Sequence, residues 1–160
     1  MKYLYVMRHG AAVGYSFDLD DYDRGLSESG SKTVREVAKR FAQKAEIIDL
    51  LVSSPAKRAF DTAKLWALHS GMAVQTVQTD SKIYRARPND LLKLITSIDE
   101  GVGSLMLIGH NPAITDLVSD LVGGRTTSIP TSGIVRLLLP IVNWCEVECE
   151  KAQIVGVEFT

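Results

Sequence analysis

Two histidines and two arginines each follow an apolar, strand-like run in this chain. They are Arg8, His9, Arg58 and His110. Arginine presents planar, permanently charged donors that match phosphate oxygens, and a neutral imidazole has a lone pair that can attack phosphorus. We therefore expect His9 to be a catalytic nucleophile. Arg8, Arg58 and His110 are expected to bind the phosphoryl group, and His110 to take part in catalysis as a charged or hydrogen-bonding clamp.

The apolar runs alternate with helical patterns, which is typical of an α/β domain whose sheet is covered on both faces. The predicted strands are 3–7, 50–54, 73–78 and 105–109, and the tail segments 134–140, 142–149 and 153–159. The predicted helices are 31–45, 56–71, a helix capped by Asn89 that runs to 98, and one from Pro112 to the Gly123-Gly124 pair. We expect residues 1–160 to form a single domain. Its fold should be a three-layer α/β/α sandwich with a mostly parallel central sheet and antiparallel C-terminal strands.

In such a sheet, ligands bind outside the carboxyl ends of the parallel strands. The candidate residues follow the predicted strands 3–7, 50–54 and 105–109. The ends of these three strands can therefore bring them into one crevice. Gly10 would allow the backbone to approach the ligand, and the helices that start after Pro55 and Pro112 would add positive dipole ends for an anion.

Composition limits the other classes of function. The 160 residues are 46% hydrophobic and 23% charged with a formal net charge of -1, so we expect no general attraction to nucleic acid or to a membrane. Residues 1–10 are too weakly apolar for a leader or a membrane span, so we expect a cytoplasmic protein. Cys145 and Cys149 lack a redox or zinc spacing and are expected to be reduced packing residues.

Four further features are expected to have structural or surface roles, and three of them also have a functional alternative. His69, in the last turn of a predicted helix, is expected to be structural. The aspartates of the 18–23 loop do not fit a calcium loop and are expected to be solvated, with a lid or a contact to a basic partner as alternatives. Arg85 and Arg87 are expected to be surface charges or substrate contacts. The hydroxyl-rich segment 131–133 is expected to be a turn, or else a phosphate contact.

Several motifs carry a family resemblance. RHG after the first strand, SSPAKRAFDTA after the second and GHNP after a later one resemble the hallmarks of the histidine phosphatase superfamily, which has a phosphoglycerate mutase-like fold. The short length, DYDRGLSESG and PTSG resemble its SixA branch, whose members are phosphohistidine phosphatases. The resemblance implies that His9 becomes phosphorylated, that Arg8, Arg58 and His110 complete the phosphate pocket, and that no metal or organic cofactor is needed. It also implies a phosphorylated protein, such as a histidine-containing phosphotransfer domain, or a small phosphorylated molecule as partner.

One departure from the family pattern bears on the substrate. Larger relatives usually carry a glutamate soon after the third strand as the acid that protonates the leaving oxygen, but this chain has Ile83-Tyr84 there. Phosphohistidine releases a neutral imidazole and needs such an acid less, so its absence favours a nitrogen-linked phosphoryl group. Asp80, Asp90 or an acid of the 18–23 loop could substitute. The alternatives are a phosphatase of small esters or of phosphoserine-type proteins, and a non-catalytic phosphate-binding module.

Overall fold

Six strands and four helices alternate along residues 1–159, the part of the chain that the computed structural model describes. The strands are β1 (Lys2–Arg8), β2 (Leu50–Ser53), β3 (Gln78–Thr79), β4 (Ser104–Gly109), β5 (Ile134–Leu139) and β6 (Gln153–Glu158). The helices are α1 (Glu28–Ala42), α2 (Lys57–Ser70), α3 (Pro88–Thr96) and α4 (Ala113–Val122).

The strands form one sheet in the order β3-β2-β4-β1-β5-β6. The first four strands of that order are parallel, whereas β5 pairs antiparallel with β1 and β6 pairs antiparallel with β5. In this register Arg8 lies opposite Gly109, and Ser53 lies opposite Ile108. The carboxyl ends of β1, β2 and β4 therefore meet at one edge of the sheet.

Apolar side chains cover both faces of the sheet because alternate residues of a strand point to opposite sides. Leu4 and Val6 of β1 pack in one buried cluster with side chains of α3 and α4, and Tyr5 and Met7 pack in a second cluster with side chains of α1 and α2. This arrangement confirms the expected α/β/α sandwich with a mostly parallel sheet and antiparallel C-terminal strands.

Local signals fix the helix ends. Ser27 Oγ accepts a hydrogen bond from the Gly30 N–H at 3.0 Å and caps α1, which starts three residues earlier than its apolar spacing predicts. Gly71 and Gly123 follow α2 and α4 with φ of 86° and 71°, a left-handed conformation that glycine adopts without strain.

Three local predictions are wrong. Residues 73–78 contribute only Gln78 to a strand, because β3 lies at the sheet edge and pairs with β2 through two residues. Residues 142–149 hold a short 3-10 helix, Trp144–Glu146, whose tryptophan is buried and donates from Nε1 to the Val102 carbonyl at 2.7 Å. Asn89 does not cap α3, which begins at Pro88; the carboxylate of Asp90 accepts from the Arg87 N–H at 2.9 Å.

The two thiols also differ from expectation. Cys145 and Cys149 are both free, but both are exposed rather than packed in the core. The buried side chains of that segment are Trp144 and Val147, so the 3-10 turn directs the cysteines outward. No helix within residues 1–159 is both long enough and apolar enough to cross a membrane.

Candidate active site

The structure brings the four candidate side chains together at the carboxyl edge of the sheet. Arg8 ends β1 and His9 follows it, Arg58 lies in the first turn of α2, and His110 follows β4. The Nε of Arg58 lies 3.4 Å from Nε2 of His9, and the ring centroids of His9 and His110 are 5.0 Å apart. A single pocket therefore contains both imidazoles and the Arg58 guanidinium, with Arg8 at its β1 wall.

His9 is held in one tautomer by the backbone. Its Nδ1 lies 2.7 Å from the carbonyl oxygen of Gly10, and since a carbonyl only accepts, Nδ1 carries the proton. The Nε2 lone pair then faces Arg58. Burial, together with the positive charges of Arg58 and Arg8, lowers the pKa of His9 to about 4, although the bond to Gly10 opposes this. The imidazole is therefore neutral at neutral pH, and its Nε2 lone pair accepts a hydrogen bond from Arg58 Nε at 3.4 Å.

Two successive buried hydrogen bonds join the segment after β1 to α2. The Gly10 N–H donates to Thr62 Oγ1 at 2.9 Å, and the Thr62 hydroxyl donates to the Arg58 carbonyl at 2.6 Å. Thr62 is fully buried. These two bonds set the distance between His9 and the helix turn that carries Arg58.

The second histidine is oriented from β2. His110 Nε2 lies 2.8 Å from Ser54 Oγ, which itself accepts from the Ala56 N–H at 3.2 Å. When the Ser54 hydroxyl donates to Nε2, the proton of the neutral ring is on Nδ1, which is buried and has no partner in the described residues. Burial lowers the pKa of His110 to about 3, helped by His9 and Arg58. His110 is thus a hydrogen-bonding group at neutral pH rather than the charged clamp that the sequence also allowed.

Unpartnered polar atoms concentrate around this pocket. Among residues 1–159, five buried side-chain nitrogen or oxygen atoms lack a hydrogen bond, and three of them are Arg8 Nε, His110 Nδ1 and Ser132 Oγ. Ser132 adjoins the site because its N–H reaches the carbonyls of Arg8 and His9 at 3.1 and 3.2 Å. Buried polar groups in native proteins are nearly always paired, so these three atoms are available to hydrogen-bond a polar ligand.

The segment 131–133 forms the expected turn, with the Gly133 N–H donating to the Pro130 carbonyl at 2.9 Å. Ser132 takes a φ of 64°, a left-handed conformation that costs free energy in a residue with a side chain. Strain of this kind is common at binding sites. The turn therefore belongs to the wall of the pocket.

Two helix N-termini also face this edge of the sheet. α2 begins after Ala56 and α4 begins after Pro112, and neither preceding residue offers a side-chain cap. Their first backbone N–H groups carry partial positive charge that favours an anion, although the Ile114 N–H of α4 already donates to the His110 carbonyl at 3.2 Å. The predicted dipole ends are therefore present at the site.

Asp21 is a site residue that the sequence did not single out. Its carbonyl accepts from Arg58 Nη1 at 2.6 Å, and its Oδ2 accepts from Arg58 Nη2 at 3.1 Å and from the Tyr84 hydroxyl at 3.2 Å. Its Oδ1 accepts from Arg24 Nη1 at 2.8 Å. Partial burial raises the pKa of Asp21, but its hydrogen bonds to Arg24 and Arg58 outweigh this and leave it lowered. The side chain is an ionised carboxylate that occupies one edge of the Arg58 guanidinium.

The other candidate acids lie in capping positions. Asp80 Oδ1 accepts from the Lys82 N–H at 2.8 Å, and Asp90 caps α3 as described above. Tyr84, in the position where the family's acid is expected, places its ring 5.8 Å from that of His110. Arg85 is exposed with its guanidinium 5.3 Å from the Tyr84 ring centroid.

The structure also shows the surroundings or position of Gly10, His69 and Arg87. A Cβ on Gly10 would lie 2.8 Å from Cγ2 of Val34 and 2.9 Å from Cδ2 of Leu26, so packing against α1 and the loop before it leaves no room for a side chain there. His69 lies in the last turn of α2. The Arg87 side chain is 85% exposed and pairs with Asp90.

No group of three or more histidine, cysteine, aspartate or glutamate side chains in residues 1–159 is arranged to hold a metal ion. The pocket's chemistry instead lies in two neutral imidazoles, two guanidiniums and two helix N-termini. That set can bind a tetrahedral anion and offer it one nucleophilic nitrogen.

Comparison with known proteins identifies the family. Residues 4–82 match the model of the histidine phosphatase superfamily (branch 1). An uncharacterized protein of Mycobacterium leprae is 28% identical over 94% of this chain and 97% of its own length. The structure of SixA from Agrobacterium tumefaciens, provisionally named a phosphohistidine phosphatase, is 26% identical with a TM-score of 0.85 and covers 99% of this chain and 98% of that one.

The protein histidine phosphatase SixA in complex with tungstate has the same fold at 20% identity, with a TM-score of 0.83 over 97% of this chain and 95% of that one. The family match includes the strand that leads to Arg8 and His9, and also the helix turn that carries Arg58. The chain belongs to the histidine phosphatase superfamily, has its phosphoglycerate mutase-like fold and is SixA-like in structure.

Proposed function

We propose that this protein is a phosphatase that transfers a phosphoryl group from its substrate to His9 and then to water, and that the substrate is phosphohistidine in a protein. The observation that carries the proposal is the position of His9. Its Nδ1 proton is bound by the Gly10 carbonyl at 2.7 Å, and its Nε2 lies 3.4 Å from the Arg58 guanidinium. The nucleophilic atom thus faces the cation that would hold its target.

Each pocket group has a role in the first transfer. The Nε2 lone pair of His9 attacks phosphorus in line with the leaving group, and the bond from phosphorus to that group breaks. Arg8 Nε and His110 Nδ1, both buried and unpartnered, donate to phosphoryl oxygens, and Arg58 donates from its guanidinium. Water then attacks the phosphorus, the bond from phosphorus to His9 Nε2 breaks, and inorganic phosphate leaves with the protons of the water. The electron pair returns to Nε2, which restores the neutral imidazole with its proton on Nδ1.

The electrostatics of the pocket support this order of events. Burial and the neighbouring guanidiniums keep the pKa of His9 at about 4, so the nucleophile needs no base to deprotonate it at neutral pH. The same cations stabilise the negative charge that spreads over the phosphoryl oxygens during transfer.

The choice of phosphohistidine follows from the lack of a carboxylic acid in the pocket. Within residues 1–159, the carboxylate that is hydrogen-bonded to a pocket side chain is that of Asp21, which binds Arg58, and its pKa is lowered. An ionised carboxylate held by two arginines is a poor proton donor. An alkoxide leaving group needs a donor, whereas the imidazole of a phosphohistidine whose other ring nitrogen is protonated leaves as a neutral ring.

A substrate panel tests the proposal. We expect kcat/KM for a protein phosphorylated on histidine to exceed that for an alkyl phosphate such as glycerol phosphate, with p-nitrophenyl phosphate between them because its phenolate is a good leaving group. His9→Ala should lower every rate by about a thousandfold or more. His69→Ala, which changes a histidine at the far end of α2, is the matched control and should keep wild-type rates.

Two results would contradict the proposal. Turnover that survives His9→Ala would exclude His9 as the nucleophile. Faster turnover of alkyl phosphates than of phosphohistidine would assign the protein to the phosphatases of small esters or phosphoserine-type proteins.

A further inference from the structure

Exposed apolar side chains concentrate in a short segment beside the pocket, residues 13–23, which we call the rim segment. Its exposed large apolar side chains are Val13, Tyr15, Phe17, Leu19 and Tyr22. Three of the four exposed aromatic side chains in residues 1–159 are among them, and Phe17 is fully exposed. Aromatic side chains in contact with water are enriched at protein interfaces, because they bury a large area with few rotatable bonds.

The rim segment is an ordered surface. The Val13 N–H donates to the Gly25 carbonyl at 3.0 Å, and Arg24 Nε donates to the Val13 carbonyl at 2.9 Å. The Arg24 guanidinium also lies 3.8 Å from the centroid of the Tyr15 ring. A surface that is already held in place loses little conformational freedom when a partner binds.

The same segment is bonded to the active site. Asp21 binds Arg58 through both its carbonyl and its carboxylate, as described above. The Tyr22 ring packs edge-on against Tyr84 with centroids 5.1 Å apart, and Tyr84 in turn lies against His110. Any macromolecule that presents a phosphoryl group to His9 therefore meets the rim segment.

The charge of the segment limits the kind of partner. Asp18, Asp20 and Asp23 are exposed, and none of them forms an ion pair within residues 1–159. These carboxylates repel a small free anion, an anionic membrane or a nucleic acid, but they attract a surface that carries lysine and arginine.

We propose that the rim segment is a docking surface for the phosphorylated protein, with Tyr15 and Phe17 packing on an apolar spot beside the phosphohistidine and the three free aspartates facing basic side chains around it. This inference rests on the proposed function, because it assigns the substrate protein to the surface next to His9. Free phosphohistidine is too small to bury surface against the segment, so the contact selects protein substrates.

The test compares a basic phosphoprotein with small substrates. Histone H4 phosphorylated on histidine with phosphoramidate is the protein probe, and free phosphohistidine and p-nitrophenyl phosphate are the small ones. Phe17→Ala should raise KM for the histone by about tenfold and leave both small substrates unchanged. Ile47→Ala, which truncates another apolar side chain that is 76% exposed, is the matched control and should change neither.

Salt gives an independent readout. Raising the ionic strength from about 0.05 to 0.5 M should raise KM for the histone in the wild type, and the Asp18→Asn/Asp20→Asn/Asp23→Asn variant should show a smaller rise. A histone KM unchanged by Phe17→Ala, or an equal loss on free phosphohistidine, would overturn the docking surface. A dimer in sedimentation that Phe17→Ala dissociates would also overturn it, because a second copy would then cover the patch.

Binding separates this inference from the proposed function. His9→Ala protein should bind the phosphorylated histone, and adding Phe17→Ala should weaken that binding by about tenfold in a fluorescence anisotropy titration. Absence of turnover in the wild type would refute the proposed function while this titration still decides the docking surface. Equal binding by the two variants would refute the docking surface alone.

Discussion

Mild acid should destabilise this protein through the two pocket histidines. Burial is the largest cause that lowers the pKa of His9 to about 4 and that of His110 to about 3, whereas both rings have a pKa near 6.5 when the chain is unfolded. Between these values the unfolded chain binds protons that the folded chain does not. The free energy of unfolding therefore falls as the pH drops below about 6.5, and the histidine contribution is fully present only above it.

The size of the effect follows from these pKa values. At pH 5 an unfolded imidazole is almost fully protonated, and the folded rings are at most about one tenth protonated. Each histidine then lowers the free energy of unfolding by roughly 2 kcal/mol relative to pH 7, so the pair lowers it by roughly 4 kcal/mol. That is a large part of the total of about 5–15 kcal/mol that stabilises an ordinary domain.

Urea unfolding at pH 7, 6 and 5 measures this loss, with the His9→Gln/His110→Gln variant for comparison. The carboxylates titrate in both proteins, so the difference between the two pH profiles isolates the histidines. We expect the wild type to lose about 4 kcal/mol more than the double variant between pH 7 and pH 5. Parallel profiles of the wild type and the double variant would refute the claim that the pocket holds its imidazoles neutral by burial.

Three further substitutions test the packing and charge of the site. Asp21→Asn removes the carboxylate that competes with phosphate for Arg58. The inhibition constant of inorganic phosphate should therefore fall several-fold in steady-state kinetics. A higher inhibition constant would contradict this role of Asp21. Gly10→Ala puts a methyl group 2.8 Å from an α1 side chain and should cost about 1–3 kcal/mol in urea unfolding, whereas Gly14→Ala, with no atom within 4 Å, should cost less than about 1 kcal/mol. Thr62→Val leaves the buried Gly10 N–H without an acceptor and should cost about 1–3 kcal/mol and lower kcat, so an unchanged stability and kcat would show that this bond is dispensable.

The sequence predicts the placement of the four pocket residues because topology constrains them strongly. β1 and β4 are short buried runs, and parallel strands in one sheet must end at the same edge. Residues that directly follow those strands are then neighbours, however far apart they lie in the chain. Arg58 follows by the same logic, since it lies in the first turn of the helix after β2.

The role of Asp21 was not predictable in this way. Four aspartates lie within six residues, and their spacing does not tell which of them turns toward Arg58, 37 residues away. That choice depends on the path of an irregular loop, which Arg24 and Tyr84 fix through hydrogen bonds. Loops of this kind have no periodicity from which a contact can be inferred.

The error in the tail and the tight packing at Gly10 both depend on tertiary structure. The segment 142–149 is apolar enough for a strand. However, the strand that pairs antiparallel with β5 is β6, and Trp144 of this segment is instead buried from a 3-10 helix. At Gly10, a glycine beside a binding motif indicates ligand approach just as well as it indicates tight packing. The close packing of Val34 from α1 against Gly10 becomes visible only in the folded structure.

Direct detection of phosphate on His9 tests the central claim most directly. The wild type, mixed with a protein phosphorylated on histidine and quenched in alkali within milliseconds, should carry one phosphoryl group that is acid-labile, alkali-stable and located by mass spectrometry on His9. Substrate turnover with no phosphoryl group on His9 at any time before the steady state, or with the label on another residue, would contradict the account.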